Sequence, residues 1–159
     1  MSSQTSAIPA IYRLNVAIVV LNQDGKILAC ERSDVADAWQ LPQGGIDPGE
    51  DLETAMLREL DEEIGTNEIE IIGKLNDSIK YEWPEEFYYK GYRGQEQFYY
   101  LVRLKPSATI NLNNHHTVEF SKVAWLSSED FFSKIKGFKK DAYLLAINLL
   151  KTKYPNTII

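Results

Sequence analysis

The chain has 159 residues, 44% of them apolar and 25% charged, with a net charge of −6. That is the size of one domain with room for a sizeable core, and no apolar run approaches the roughly 20 residues of a membrane-spanning helix. The acidic balance argues against non-specific nucleic-acid binding, which relies on Lys and Arg, so no DNA partner is expected. A polyanionic substrate would then need a local positive device, such as a bound divalent cation.

Residues 1–10 read as a flexible tail and 11–155 as one domain. The polar start, Met1 to Ser6, lacks the basic-then-apolar order of a secretory signal. One cysteine, Cys30, precludes an intrachain disulfide; it sits in an apolar strand-like run and reads as a buried structural thiol. A cytoplasmic location is expected, since a reducing compartment fits this usage.

Residues 14–21 and 26–30 read as strands around a hairpin turn, Asn22-Gln23-Asp24-Gly25. A strand over 39–43 ends at Gly44-Gly45. A helix follows from about Glu50 to Ile64, with Asp47 and Glu50 spaced as a capping box and Gly65 as its stop. Strands are expected over 68–73, 77–83, 96–104 and 118–126, with an aromatic, charged loop at 84–95. Ser127 or Ser128 starts a short helix over 128–135. A longer helix over 139–153 offers Ala142, Tyr143, Ala146, Ile147, Leu149 and Leu150 for packing. The order of strands and helices predicts an α/β fold, a mixed β-sheet sandwiched between helices.

On the helix over 50–64, taking Leu52 as zero, Met56, Leu60 and Ile64 fall at about 40°, 80° and 120°, a core stripe. Glu59 and Glu63 fall at about 340° and 20°, at the edge of that stripe, and Glu62 at about 280°. The like-charged pairs Glu59–Glu62 and Glu59–Glu63 each cost about 0.2–0.5 kcal/mol. A hard divalent cation would satisfy all three carboxylates. Periodicity alone leaves two readings open, a metal site and a solvated acidic face.

The spacing is more specific. Gly44, five residues, Glu50, seven residues, then Arg58-Glu59-Leu60-Asp61-Glu62-Glu63-Ile64-Gly65 resembles the Nudix box, with one departure at Thr66, where the box has an aliphatic residue. The resemblance implies a Nudix hydrolase that cuts phosphoanhydride bonds by attack of a metal-activated water on phosphorus. It implies Glu59, Glu62 and Glu63 as ligands to Mg²⁺ (or Mn²⁺), more than one ion, with the carbonyl of Gly44 completing the site. Arg58 and Glu50 would form an orienting salt bridge.

Outside the box, Tyr12-Arg13, Trp39-Gln40-Leu41-Pro42-Gln43, Gly94-Gln95-x-Gln97, Glu119-Phe120 and Phe138-Lys139-Lys140 occur in the order seen in Nudix members that process RNA 5′ ends or split dinucleoside polyphosphates. That resemblance, over about 11–150, implies Glu119 as a further metal ligand, against a reading as a surface acid. It implies Arg32 and Phe138 as a sandwich for a nucleobase, against Phe138 as a core residue. Lys139 would contact phosphate, and Gln43, Gln97, Arg13 and Tyr81 would contact phosphate or ribose. By charge alone, Lys134, Lys136, Lys139 and Lys140 put four positive charges within seven residues and would guide an RNA end, against a solvated helix rim for Lys134 and Lys140. The expected substrate is 5′-triphosphorylated RNA, with diadenosine tetraphosphate as the alternative and a non-cleaving nucleotide-binding module as the remote one. A monomer is expected, and no role is assigned to His115 or His116.

Overall fold

The computed structural model describes residues 11–113 and 115–159; the expected tail over residues 1–10 lies outside them. Eight strands form one sheet: β1 Tyr12–Leu21, β2 Ile27–Arg32, β3 Trp39–Gln40, β4 Gln43–Gly45, β5 Ile69–Lys74, β6 Ile79–Glu82, β7 Gly94–Leu104 and β8 Phe120–Leu126. Among the described residues three α-helices accompany them: α1 Leu52–Ile64, α2 Ser128–Lys134 and α3 Lys140–Lys153.

The sheet is mixed. β1 pairs in parallel with β7 along its whole length, and the other pairings are antiparallel. Central β1 is buried from Asn15 to Leu21, as a strand covered on both faces must be. Alternation along it splits the core. Ala17, Val19 and Leu21 face the layer containing Phe131, Tyr143, Ala146, Ile147 and Leu150 of α2 and α3. Val16, Ile18 and Val20 face Ala55, Met56, Leu60 and Ile64 of α1. The α/β/α sandwich expected from the element order is therefore present, and the stripe Met56, Leu60, Ile64 is fully buried.

Several local readings are corrected. Helix α1 is capped by Asp51, whose side chain accepts from the Thr54 amide at 2.8 Å, rather than by Asp47. Glu50 instead accepts from the Asp47 amide at 3.0 Å, which leaves its carboxylate outside the helix. The strand over 39–43 breaks at Leu41-Pro42 into β3 and β4. Leu149 is 45% exposed, not packed. Past residue 155, Ile158 is buried in the core and the Ile159 amide donates to Gly25 O at 2.9 Å. Cys30 is fully buried, which pushes its thiol pKa up and suits the structural role expected of it. No helix among the described residues is long and apolar enough to cross a membrane.

Candidate active site

Packing of α1 against β1 brings the last turns of the helix up to β4, the strand that starts the box. Contact there is close: a Cβ on Gly44 would sit about 2 Å from the Glu59 carboxyl group, so only glycine lets that carboxylate lie on the strand. Gly65 ends α1 at φ 76° with its amide donating to Asp61 O, and a side chain there would meet Asn111 O. Thr66, the departure from the box, is buried, and its hydroxyl accepts from the Glu68 amide at 3.1 Å.

Arg58 organises the carboxylates. It grips Glu50 bidentately, Nε to Oε2 at 2.7 Å and Nη2 to Oε1 at 2.8 Å. Nη2 also donates to Gly45 O at 2.9 Å and Nη1 to Glu59 Oε1 at 2.9 Å, with a longer 3.4 Å contact to Glu62. These bonds hold the Glu50 carboxyl at about 2 and raise the Arg58 pKa further.

Glu59 and Glu63 are each 7% exposed, whereas the Glu62 side chain is nearly half exposed. Burial is the main cause that pushes Glu59 up to about 7, against the opposing pull of Arg58; Glu62 and Glu119 add repulsion. Glu63 is also raised, by burial and then by Glu59, while the Gln43 amide donates to it at 2.8 Å and pulls the other way. Two desolvated, mutually repelling carboxylates call for positive charge.

Glu59, Glu62, Glu63 and Glu119 line one cavity of about 350 Å³. Its remaining wall is His115, His116 and Thr117, which sequence reasoning passed over; their one signal was proximity to Glu119. His115 Nε2 lies 3.3 Å from Asp61 Oδ2. Among the described residues, no three of these side chains already converge on one point as a metal-holding group. The donor set is nonetheless that of a hard cation, four carboxylates on one cavity with Glu59 seated against Gly44. The residues fit a divalent ion.

Beside this cavity lies a cationic and aromatic surface. Arg13, Arg32, Gln43, Tyr81, Phe138 and Lys139 share a second cavity of about 440 Å³. Gln43 links the two, since its backbone amide holds Glu63 and its side chain lines the second cavity, accepting from the Tyr143 hydroxyl. Arg32 is paired with Asp34, at 2.6 and 2.9 Å. Lys139 donates to Gln40 at 2.6 Å, and burial is the main cause that lowers its pKa to about 8, with the nearby Arg32 charge adding to it. Tyr81 donates to Gln95 at 2.8 Å and burial pushes it up to about 12. The Arg13 guanidinium packs against Gly45, in the space a Cβ there would fill.

Gln97 does not reach either cavity. It is fully buried, its amide donating to Asn15 at 2.9 Å and its carbonyl accepting from Tyr99. Of the four lysines expected to guide a substrate, Lys134 sits 4.6 Å over the Trp39 ring and Lys136 pairs with Asp37 at 2.7 Å. Trp83, Phe87 and Tyr89, from the 84–95 region and its edge, join the second cavity; the aromatic density of that segment was their signal in the sequence.

A family profile described as the NUDIX domain matches residues 11–146. A Campylobacter jejuni protein called RNA pyrophosphohydrolase is 44% identical over 148 residues, covering 89% of this chain and 94% of that one. A Helicobacter pylori protein of the same name is 43% identical over 146 residues, covering 88% and 94%. Among solved structures, a Caenorhabditis elegans Ap4A hydrolase complex and the Escherichia coli dihydroneopterin triphosphate pyrophosphohydrolase each superpose with a TM-score of 0.67 at 20% identity. They cover 89% and 87% of this chain and 99% of their own, and share its fold. Nudix hydrolases use divalent cations, as the acidic cavity suits. The chain belongs to the Nudix family and is a pyrophosphohydrolase.

Proposed function

We propose that the protein removes pyrophosphate from 5′-triphosphorylated RNA, leaving a 5′-monophosphate that exposes the transcript to decay. The observation that carries this reading is Gln43, which lines the cationic, aromatic cavity while its amide holds Glu63 of the acidic one, in a chain 44% identical to an RNA pyrophosphohydrolase across nearly its whole length. A polyphosphate lying across Gln43 would have its anhydride bond at the carboxylates and its nucleoside against the aromatic rings.

Glu59, Glu62, Glu63 and Glu119, with the Gly44 carbonyl, would hold Mg²⁺ or Mn²⁺. A bound divalent cation would supply charge neutralisation on the anhydride oxygens and an acidified water. Arg58, locked by Glu50, fixes the Glu59 carboxylate before substrate arrives, so little reorganisation accompanies the reaction. Lys139 and Arg13 bring charge to the non-reacting phosphates, and Arg32 with Phe138 takes the base. Gln97 supports from behind, since it contacts Gln95, to which Tyr81 donates. We take residues 11–155, with Ile158 and Ile159 packed back onto them, as the catalytic domain, working as a monomer in the cytoplasm with no membrane or DNA partner.

The second reading is hydrolysis of diadenosine tetraphosphate. It is favoured by one feature: Arg32, Phe138 and Lys139 divide two cavities, and a dinucleotide also carries two bases. Comparing kcat/KM for a short triphosphorylated RNA and for diadenosine tetraphosphate, at one Mg²⁺ concentration, decides between them. The RNA is expected to be the better substrate; a strong preference for the dinucleotide overturns the assignment.

A further inference from the structure

The acidic cavity holds its carboxylates in two ways. Three of them belong to α1 and are fixed as side chains: Arg58 donates to Glu59 and contacts Glu62, and the Gln43 amide donates to Glu63. Glu119 is different. It is exposed, it lies just before β8, and among the described residues no ion pair engages its carboxylate. Its backbone is what is held. The Ser33 amide donates to Glu119 O at 2.9 Å, and the Ser33 hydroxyl donates to Val118 O. Both bonds tie Glu119 to the chain just after β2, and neither ties it to the helix that carries the other three carboxylates.

The ties to α1 lie earlier in the chain. The Asn111 amide donates to Ile64 O at 2.8 Å, and Asn111 O occupies the space that a side chain on Gly65 would need, so this residue is seated on the C-terminus of α1. His115 then reaches the same helix from outside, with its Nε2 3.3 Å from Asp61 Oδ2. Nε2 carries a proton toward that carboxylate in the imidazolium and in one neutral tautomer. His116 and Thr117 follow as wall of the acidic cavity and lead into Glu119. Four residues span at most about 14 Å, so holding His115 on α1 restricts where the chain can swing about the Ser33 bonds. Asp61 lies between Glu59 and Glu62 in the box, yet it does not line the cavity.

We propose that the His115–Asp61 contact is a positioning tether for the metal centre: it holds residues 115–117 against α1 and thereby brings Glu119 to the three box carboxylates. His115 acts through Glu119 and is a positioning residue, not a ligand. The proposal rests on the reading above that Glu119 is a metal ligand. Partners that orient metal ligands tune affinity for the ion. Here both partners are well exposed, 39% and 47%, so the contact adds little to the stability of the fold and its effect on the cation is a few-fold.

Equilibrium binding of Mn²⁺ to the protein without substrate, read from the electron paramagnetic resonance signal of the free ion, tests it. His115→Ala is expected to raise the Mn²⁺ Kd about 3-fold with Tm within about 2 °C of wild type. His115→Gln keeps an N–H donor and should recover part of the loss. Asp61→Ala should also weaken Mn²⁺, and adding His115→Ala to it should cost less than about 1.5-fold more, since the tether is then already cut. His115→Ala should likewise have no further effect in a Glu119→Gln background. In turnover, the Mg²⁺ concentration for half-maximal rate should rise about 3-fold, while kcat at saturating Mg²⁺ stays within about 2-fold. An unchanged Kd in His115→Ala overturns the proposal. So does an undiminished loss in the Glu119→Gln background, which would make His115 act on the ion by another route. Failure of the underlying reading is seen in a different protein: Glu119→Gln alone would bind Mn²⁺ as wild type does, which removes Glu119 from the metal centre and the tether with it.

Discussion

The acidic cavity takes Glu59, Glu62 and Glu63 from the last turns of α1 and adds Glu119 from the segment before β8, whereas the ridge beside it takes Arg32, Phe87, Phe138 and Lys139 from three segments far apart in the chain. The first is set by helical geometry and by one arginine fixed in a bidentate grip. The second is set by how β2, the 84–95 hairpin and the start of α3 converge. Its charged groups are already satisfied locally, Arg32 by Asp34 and Lys139 by Gln40. A substrate entering the acidic cavity meets carboxylates short of positive charge; one meeting the ridge must displace existing partners. The chemistry is therefore preorganised and the recognition is adaptable. Damage to the first should appear in kcat and damage to the second in KM.

The sharpest break falls on Glu62. Its side chain is nearly half exposed and touches Arg58 only at 3.4 Å, so the fold has little stake in its charge. Glu62→Gln should leave Tm within about 2 °C, as for most surface ion pairs. It should lower kcat about 10²–10³-fold, the loss typical of removing one electrostatic contributor to a reacting centre. Near-normal Mg²⁺-dependent turnover would dissolve the distinction between the two regions. Arg58→Ala tests the preorganisation. It strips the partner from Glu50 and Glu59 and should cost about 2 kcal/mol, lowering Tm by about 4–8 °C with a fall in kcat. Arg58→Lys keeps the charge but not the fork and should recover only part of the loss. An unchanged Tm and kcat in Arg58→Ala would show that Arg58 is a bystander.

The same contrast explains what could be read from the chain. The stripe Met56, Leu60, Ile64 and the burial of Glu59 and Glu63 beside it follow from the 3.6-residue period, and all of these are buried. The box spacing added the pairing of Arg58 with Glu50 across eight residues, which periodicity cannot supply because Glu50 lies outside the helix. The ridge was harder. Sequence order cannot reveal that Gln97 turns inward to Asn15 and Tyr99, or that Phe87 arrives at Phe138, because strand register and hairpin geometry decide both. Leu149 illustrates a plain failure of pattern: it shares a helix with Ile147 and Leu150 yet faces away from the core.

On the ridge, Phe138→Ala should raise KM for triphosphorylated RNA about 10-fold, the scale of one base stack, with kcat little changed. Phe138 is 38% exposed, so stability should fall only slightly. If kcat fell as much as KM rose, the ridge would belong to the chemistry and the division between regions would blur. An unchanged KM would remove Phe138 from recognition.

The smallest effect belongs to Lys139, and its direction in pH is specific. Burial brings its pKa down to about 8, from an ordinary value of 10.5. The ammonium that would meet phosphate is thus lost from the folded protein as pH rises through 8, and KM should climb a few-fold between pH 7 and 9. Stability runs the other way. Between about 8 and 10.5 the unfolded chain binds more protons at this site than the folded one, so the site's unfavourable contribution shrinks as pH rises. Lys139 therefore weakens substrate binding over part of the range in which it relieves the fold, a pairing no exposed lysine would produce. Lys139→Arg keeps its charge throughout and should flatten this component of the KM profile. A wild-type KM that stays level from pH 7 to 9 would take Lys139 out of contact with phosphate and leave that work to Arg13.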